Sequence, residues 1–435
     1  MPSNARWWFF LNLLLSFNAL ALIPIPYGLE SQREKELPSF GQQERALGYK
    51  ANETFSVPPE LKTRVEFWKR IYTDLTSSQA ILHDSDYPEL TYVVLDISTY
   101  TDESHIPYRK RMIALNRYFK TEKQKLTQQL KQLHNFKGNG ASLPVELLSL
   151  YKKFEPIKEA NKYLNATKRI RAQVGQRDHV VRGFIYGGRY FNEMMKIFEQ
   201  RKIPKELTRL PLVESAFNLN ARSKVGASGI WQFMKRTGKQ YLKIDKNVDE
   251  RNDPIAATKA AAQLLRENFE ALGSWPLAIT AYNHGRHGVA RAVKSVGSQE
   301  LHHIIRNHNS PSFGFASQNF YSEFLAILEV EREYRKYFGK MWVEPPLEYE
   351  KVLLLKTSSI SEISSRCQVP TREISFYNPS LTDWVTSGKG KVPKGFHLRI
   401  PVGSREVCVK PQKNLTKNSK TKPAQIIGFN LNSNS

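Results

Sequence analysis

A chain of 435 residues, 40% hydrophobic and 11% aromatic, can bury a sizeable core and is too apolar for wholesale disorder. Its 65 Lys and Arg against 41 Asp and Glu leave a formal charge of +24, which favours an anionic partner such as nucleic acid, anionic lipid or an acidic cell-wall polymer. Two cysteines without clustered histidines exclude a structural zinc site, and no metal or other cofactor is expected.

Arg6 precedes an apolar run from Trp7 to Ile25, and Ala19 and Ala21 form an A-x-A pattern. The pattern predicts a signal peptide over 1–21, cleaved after Ala21. The alternative is an uncleaved anchor, since the run is just long enough to span a bilayer. Export argues against nucleic acid, and the basic charge then points to the envelope, with an anionic envelope surface as a further partner. Residues 22–59 read as a flexible lead, and 60–176 as a helical N-terminal region with extended, β-branched stretches near Thr91 to Ile97. Pro107 to Phe136 is a long Lys-rich helical stretch, broken by Gly138, Gly140 and Pro144. Its charges are either a solvated face or an approach surface for the wall.

The centre of the chain carries the chemistry. Pro204 to Phe217 reads as a helix in which Leu207, Leu210 and Glu214 share one face, with Pro211 kinking it or starting a new turn. Glu214 sits at the end of that apolar face, where its charged form is disfavoured and its pKa should rise, as a general acid requires. Gly226 and Gly229 allow positive φ or close backbone approach. Ile230, Phe233, Met234, Thr237 and Tyr241 recur at helical spacing and read as core, with Gln232 off that stripe. Asp253 caps a helix that begins at Pro254 and ends at Gly273. Ser274 caps the next, which carries Tyr282 inward and stops at Gly285. A buried Tyr needs a partner for its hydroxyl, and a carboxyl such as Glu214 would serve.

The stretch "ESAFNLNARSKVGASGIWQF" followed by "AYNHG" resembles the signature blocks of family 1 lytic transglycosylases. The flanking "PKELTRLPLVESAFN" looks like the membrane-bound lytic murein transglycosylase D group. The resemblance covers about Arg177 to Tyr337 well and the helical N-terminal region loosely, and implies a goose-lysozyme-like domain over 177–340 in a mainly α (α+β) chain. It implies one catalytic carboxylate, Glu214, acting on the bond between N-acetylmuramic acid and N-acetylglucosamine in peptidoglycan glycan strands. The substrate's own C6 hydroxyl would attack, giving a 1,6-anhydro end, so no second acid is needed to activate water. By position in the motifs, Ser223 would bond near the muramic acetamido group, Gln232 would line the cleft, Tyr282 would orient Glu214 and Asn283 would support it. Asn319 and Phe320 match a later, weaker block that closes the cleft. The family often has Tyr at Phe320 and a small residue at His284.

Residues 349–403, after Pro345 and Pro346, read strand, helix, helix, strand and look like a LysM module, which implies binding to N-acetylglucosamine-containing glycans. Lys356 and Thr357 stand where the Gly-Asp turn is usual. Cys367 and Cys408 either pair or remain two small hydrophobes. The tail 410–435 reads as disordered. Two other functions fit the same residues: a hydrolytic muramidase, and a non-catalytic peptidoglycan-binding protein. The sequence leaves the oligomeric state open.

Overall fold

The computed structural model describes residues 53–101, 106–138 and 142–409. The expected signal peptide, most of the lead and the tail lie outside them. Among the described residues the chain is mainly helical, with three small antiparallel sheets. No described helix is long and apolar enough to cross a membrane. Among the described residues, one compact unit comprises 53–185 and 264–342, and a second comprises 186–263 and 343–409.

In the first unit, α1 (Lys62–Thr73) precedes strands β1 (Gln79–Asp84) and β2 (Thr91–Asp96). The long helix α2 (Tyr108–Asn135), α3 (Val145–Lys153) and strand β3 (Ile170–Val174) follow. The sheet order is β2-β1-β3, antiparallel throughout. Beside the helices expected over 60–176, the stretch expected to be extended near Thr91 to Ile97 is β2, and the structure adds β1 and β3 to it, which the pattern does not show. The reason lies in β1, whose run Ala80 to Asp84 is buried at every position. A continuously buried segment has no alternation to mark it as a strand. Leu115, Phe119, Leu126, Leu130 and Leu133 of α2 pack in the same core as Ala80, Leu82 and Leu95, at the three- and four-residue spacing of one helix face. The Lys-rich remainder of α2 is the opposite face.

The rest of this unit is helical. It includes most of α4 (Arg177–Gly187), the second part of α7 (Pro254–Leu272), α8 (Trp275–His284), α9 (Arg286–Val296) and α10 (Phe315–Arg332). Ser274 caps α8 by accepting from the Leu277 amide, and Gly285, at φ 89°, ends it. Helix α10 is almost wholly buried, as an apolar helix in the middle of a core must be.

One buried group of α10 makes stability depend on pH. Desolvation pushes the Glu323 carboxyl up to about 8 from 4.5, with Arg171 opposing. The folded chain then holds a proton that the unfolded chain releases above about pH 4.5. This contribution to stability is fully present below that pH and is lost as pH rises through 8. Glu323→Gln is expected to flatten the dependence and to raise Tm by a few degrees at pH 9. Scanning calorimetry from pH 5 to 9 checks this; parallel wild-type and variant curves would refute it.

The second unit contains α5 (Phe191–Gln200), α6 (Leu210–Ser215), the hairpin β4 (Ala227–Ser228) and β5 (Phe233–Met234), and the start of α7. Its C-terminal part runs β6 (Glu350–Leu353), α11 (Ile360–Cys367), α12 (Thr371–Tyr377), β7 (His397–Ile400) and α13 (Arg405–Val409). Strands β6 and β7 pair antiparallel with Glu350 opposite Ile400. The expected strand, helix, helix, strand order is present, with a short extra helix at Asp383–Thr386. Ser359 and Glu362 form a capping box at α11. Cys367 and Cys408 form a disulfide across 41 residues of chain, which ties α11 to α13 and constrains the unfolded module.

This C-terminal part shares its core with the preceding segment. Val248 is buried among Val352, Ile363, Leu381 and Leu398, and its backbone bridges Leu381. The Asp249 amide donates to the Ser380 carbonyl at 2.7 Å, and the Thr382 amide to that of Asn247 at 3.0 Å. Arg399 donates to both oxygens of Asp253, at 2.6 and 3.0 Å. Arg189 pairs with Glu344, both buried.

Candidate active site

Helix α6 is short because of what lies on either side of it. A 3-10 turn, Lys205–Arg209, leads into it and Pro211 occupies its first turn, where a missing N–H costs nothing. The helix expected from Pro204 to Phe217 runs in two pieces, the new turn expected at Pro211 starting at Leu210, and it ends in an abrupt stop. The stop is left-handed backbone at two non-glycine residues, Ala216 at φ 48° and Phe217 at φ 58°. Such residues cost about 1–3 kcal/mol each. Packing offsets the cost: the Phe217 ring is buried and meets Tyr190 and Phe191 at centroid distances of 6.0 and 5.1 Å. Glu214 is the half-buried residue on this last turn, between buried Val213 and buried Ser215. Ser215 Oγ donates to the Pro211 carbonyl at 3.1 Å and to the Ile230 carbonyl at 2.9 Å. That second bond ties the end of α6 to the hairpin.

The hairpin corrects the expected helical stripe at Ile230, Phe233, Met234, Thr237 and Tyr241. Ser228 pairs with Phe233 and Ala227 with Met234, and Met234 is 41% exposed. The helix cannot form because Gly229 (φ 76°) and Gln232 (φ 47°) both turn the backbone left-handed. Gln232 holds the turn with its own side chain, Nε2 donating to the carbonyls of Gly229 at 2.7 Å and Ala221 at 3.3 Å. Ser223 closes the preceding loop: its amide donates to the Ala227 carbonyl and its Oγ accepts from the Ala227 amide at 2.9 Å. Glu214, Ser223 and Gln232 thus lie on one strained assembly.

Arg251 holds this assembly from below, a role that sequence reasoning missed. Its guanidinium grips both oxygens of Asp249 at 2.9 and 2.7 Å. The same group donates to the carbonyls of Gly226 at 2.8 Å and Phe233 at 3.1 Å, one on each side of the hairpin. Ser228 Oγ donates to Asn252 at 2.6 Å, and the Trp231 indole to Thr258 at 2.9 Å. Asp253 keeps the cap role expected of it, with its Oδ1 accepting from the Ile255 and Ala256 amides. Local periodicity holds no signal for this role of Arg251, because its hairpin partners lie 18 and 25 residues away.

A Cβ on Gly229 would lie 1.8 Å from the Arg251 carbonyl oxygen. The position demands glycine for space as well as for φ. Gly229→Ala is expected to destabilise the protein by about 1–3 kcal/mol and to loosen the hairpin. Chemical denaturation reads the stability, and unchanged stability would refute the close packing.

The remaining candidates belong to the first unit. Tyr282 and Asn283 are half-buried on the last turn of α8. Ser317 Oγ donates to Asn283 Oδ1 at 3.1 Å and lies 3.1 Å from His284 Nδ1. His284 stacks edge-on against Phe313, and burial lowers its pKa. It is therefore packed at the helix end rather than pointing to solvent. Asn319 and Phe320 are 0% and 1% exposed. Asn319 Oδ1 accepts from Arg64 at 3.1 Å and from the Trp68 indole at 3.2 Å, so its side chain joins α10 to α1.

Residues 189–305 match the family model of the transglycosylase SLT domain. The chain is 43% identical over 99 residues to membrane-bound lytic murein transglycosylase D of Escherichia coli K12, 22% of each chain. It is 38% identical over 102 residues to a putative tributyltin chloride resistance protein of Alteromonas strain M-1, covering 22% of this chain and 48% of that one. Among solved structures, the soluble lytic transglycosylase SLT70 of Escherichia coli matches at 21% identity and a TM-score of 0.29. That match covers 41% of this chain and 28% of that one. The chain thus spans about a fifth (22%) of the length of the transglycosylase D relative that it matches.

Proposed function

We propose, from the SLT match over 189–305, that the protein is a lytic transglycosylase of peptidoglycan with Glu214 as its catalytic acid and base. The observation that carries the chemistry is the placement of Glu214. It stands half-buried at the end of α6, on backbone that Phe217, Ser215 and the Arg251-braced hairpin hold in a costly conformation. Strain of this kind persists where geometry is required.

In the proposed reaction the protonated Glu214 gives its proton to the oxygen linking N-acetylmuramic acid C1 to N-acetylglucosamine C4. The C1–O bond breaks. The carboxylate then takes the proton of the muramic C6 hydroxyl as that oxygen bonds to C1. The products are a 1,6-anhydromuramic end and a free C4 hydroxyl, and Glu214 regains its proton without consuming water. Ser223 and Gln232 would bind the sugar on the hairpin side. Tyr282, with Asn283 beside it, would orient the carboxyl, and Asn319 and Phe320, both buried, would shape the site by packing. The 349–403 module is proposed as LysM-like, with glycan as its ligand. The signal peptide and envelope location are proposed from the sequence, and a membrane-bound relative is consistent with them.

Mass spectrometry of material released from purified sacculi tests the reading. Anhydro-ended muropeptides are expected. Reducing ends would mean a hydrolytic muramidase, and tight binding without release would mean a scaffold.

A further inference from the structure

Arg64, Lys123 and Arg171 of the first unit are half-buried and make no ion pair among the described residues. Arg171 on β3 sits over the Phe315 ring, 4.1 Å from its centroid, and its buried Nε meets no acceptor. Directly across the strand pair from Arg171 stands His83 on β1, fully buried, so the two side chains share one face of the sheet. The His83 ring lies 4.6 Å from that of Phe67 and 5.5 Å from that of Phe315. Its Nδ1 lies 2.9 Å from the Asp84 carbonyl, and its Nε2 has no partner among the described residues. Arg64 reaches Asn319 one turn along α10 from Phe315. Lys123 approaches from α2: burial and then the charge of Arg171 lower its pKa, and its own charge acts on His83 together with those of Arg171 and Arg64. Elements α1, α2, α10 and the sheet thus bring three positive charges to one place.

Such a cluster is costly, because buried like charges repel and each has lost water. Burial lowers the pKa of Arg64, Arg171 and Lys123. Together with their combined field it takes His83 down to about 3. Among the described residues, internal acids do not cancel the charge. Glu323, the acid that acts on Arg171, is held neutral at pH 7 by its own burial. Asp86 and Glu89 attract Arg64 only at a distance beyond ion pairing.

We propose that Arg64, Lys123, Arg171 and His83 form an anion-binding site that receives a carboxylate from the peptide stems of peptidoglycan. The choice of stem carboxylate rests on the lytic transglycosylase reading; the anion site itself does not. A guanidinium laid flat on an aromatic ring presents its N–H edge sideways, in the fork that matches a carboxylate. Peptide stems carry carboxylates along the polymer that Glu214 would cut. A carboxylate there would offset the field on His83, letting Nε2 take up a proton and donate to it.

The test uses the full chain carrying Glu214→Gln, so that binding is measured without turnover. The probes are the stem tetrapeptide L-alanyl-D-glutamyl-diaminopimelyl-D-alanine, its fully amidated form, and inorganic phosphate. Calorimetry reads affinity, and NMR of labelled histidine reads His83. The tetrapeptide is expected to bind and to raise the His83 pKa, and the amidated form to do neither. Arg171→Gln and Lys123→Gln should each weaken binding about tenfold, with Lys123→Arg restoring it. Lys123→Gln on the half-exposed face of α2 carries the test if Arg171→Gln does not fold. No tetrapeptide binding, or binding unmoved by both variants, overturns the proposal. Phosphate competing at equal affinity also overturns it and assigns the site to free phosphate. Full lytic activity in Glu214→Gln would instead refute the reaction while leaving this binding result standing.

Discussion

Glu214→Gln is expected to lower the release of anhydro-ended muropeptides by about 10²–10⁴-fold while leaving sacculus binding intact. The amide keeps the shape of the carboxyl but can neither give a proton to the leaving oxygen nor take one from the C6 hydroxyl. Both halves of the proposed reaction fail together, since one group serves both. Among the nearby acids, Asp249 is committed to Arg251 and Asp253 to Arg399 and the α7 amides, so neither can substitute. Paired assays of release and pull-down on the same sacculi check the prediction. Residual activity above a tenth of wild type would remove Glu214 from the chemistry.

Arg399→Ala is expected to cost about 3–5 kcal/mol and to lower Tm by about 10 °C. Asp253 and Arg399 have side chains only 8% and 14% exposed. Removing the guanidinium leaves a buried carboxylate with its two amide bonds and no counter-charge. The pairing holds the Arg399 pKa well above its usual value, chiefly through the charge of Asp253 against the cost of burial. The loss should propagate. Asp249 takes the Ser380 carbonyl with its amide and Arg251 with its side chain, and Arg251 holds the hairpin. Activity on short soluble glycan strands should therefore fall, as well as capture of whole sacculi. Denaturant titration of Arg399→Ala, and of Asp253→Asn with Arg399→Gln, measures the term. Recovery of stability in the double variant is the expected signature of an uncompensated charge.

Much of this was legible in the chain. Asp253 before Pro254 and Ser274 before Pro276 announce helix starts, and the structure uses both side chains as caps. The 349–403 segment could be read as strand, helix, helix, strand after Pro345 and Pro346, and the structure adds the Ser359–Glu362 capping box. The hairpin could not. Its spacing at Ile230, Phe233 and Met234 imitates a helix, and only the left-handed backbone at Gly229 and Gln232 excludes one. Strand β1 was hidden by continuous burial. Arg251, Arg399 and the Arg64 and Arg171 cluster were silent because each acts on partners distant in sequence. Pattern reports local periodicity, whereas these residues act through tertiary proximity.

The Asp253–Arg399 pair also sets what can be exchanged between proteins. Residues 349–403 look like a cassette that recombination could lift out whole. A chimera carrying a foreign module would leave Val248 without its apolar neighbours and Asp253 facing a residue never selected to meet it. The heritable piece is the module together with 246–253, two stretches that must change in step although about a hundred residues of chain separate them.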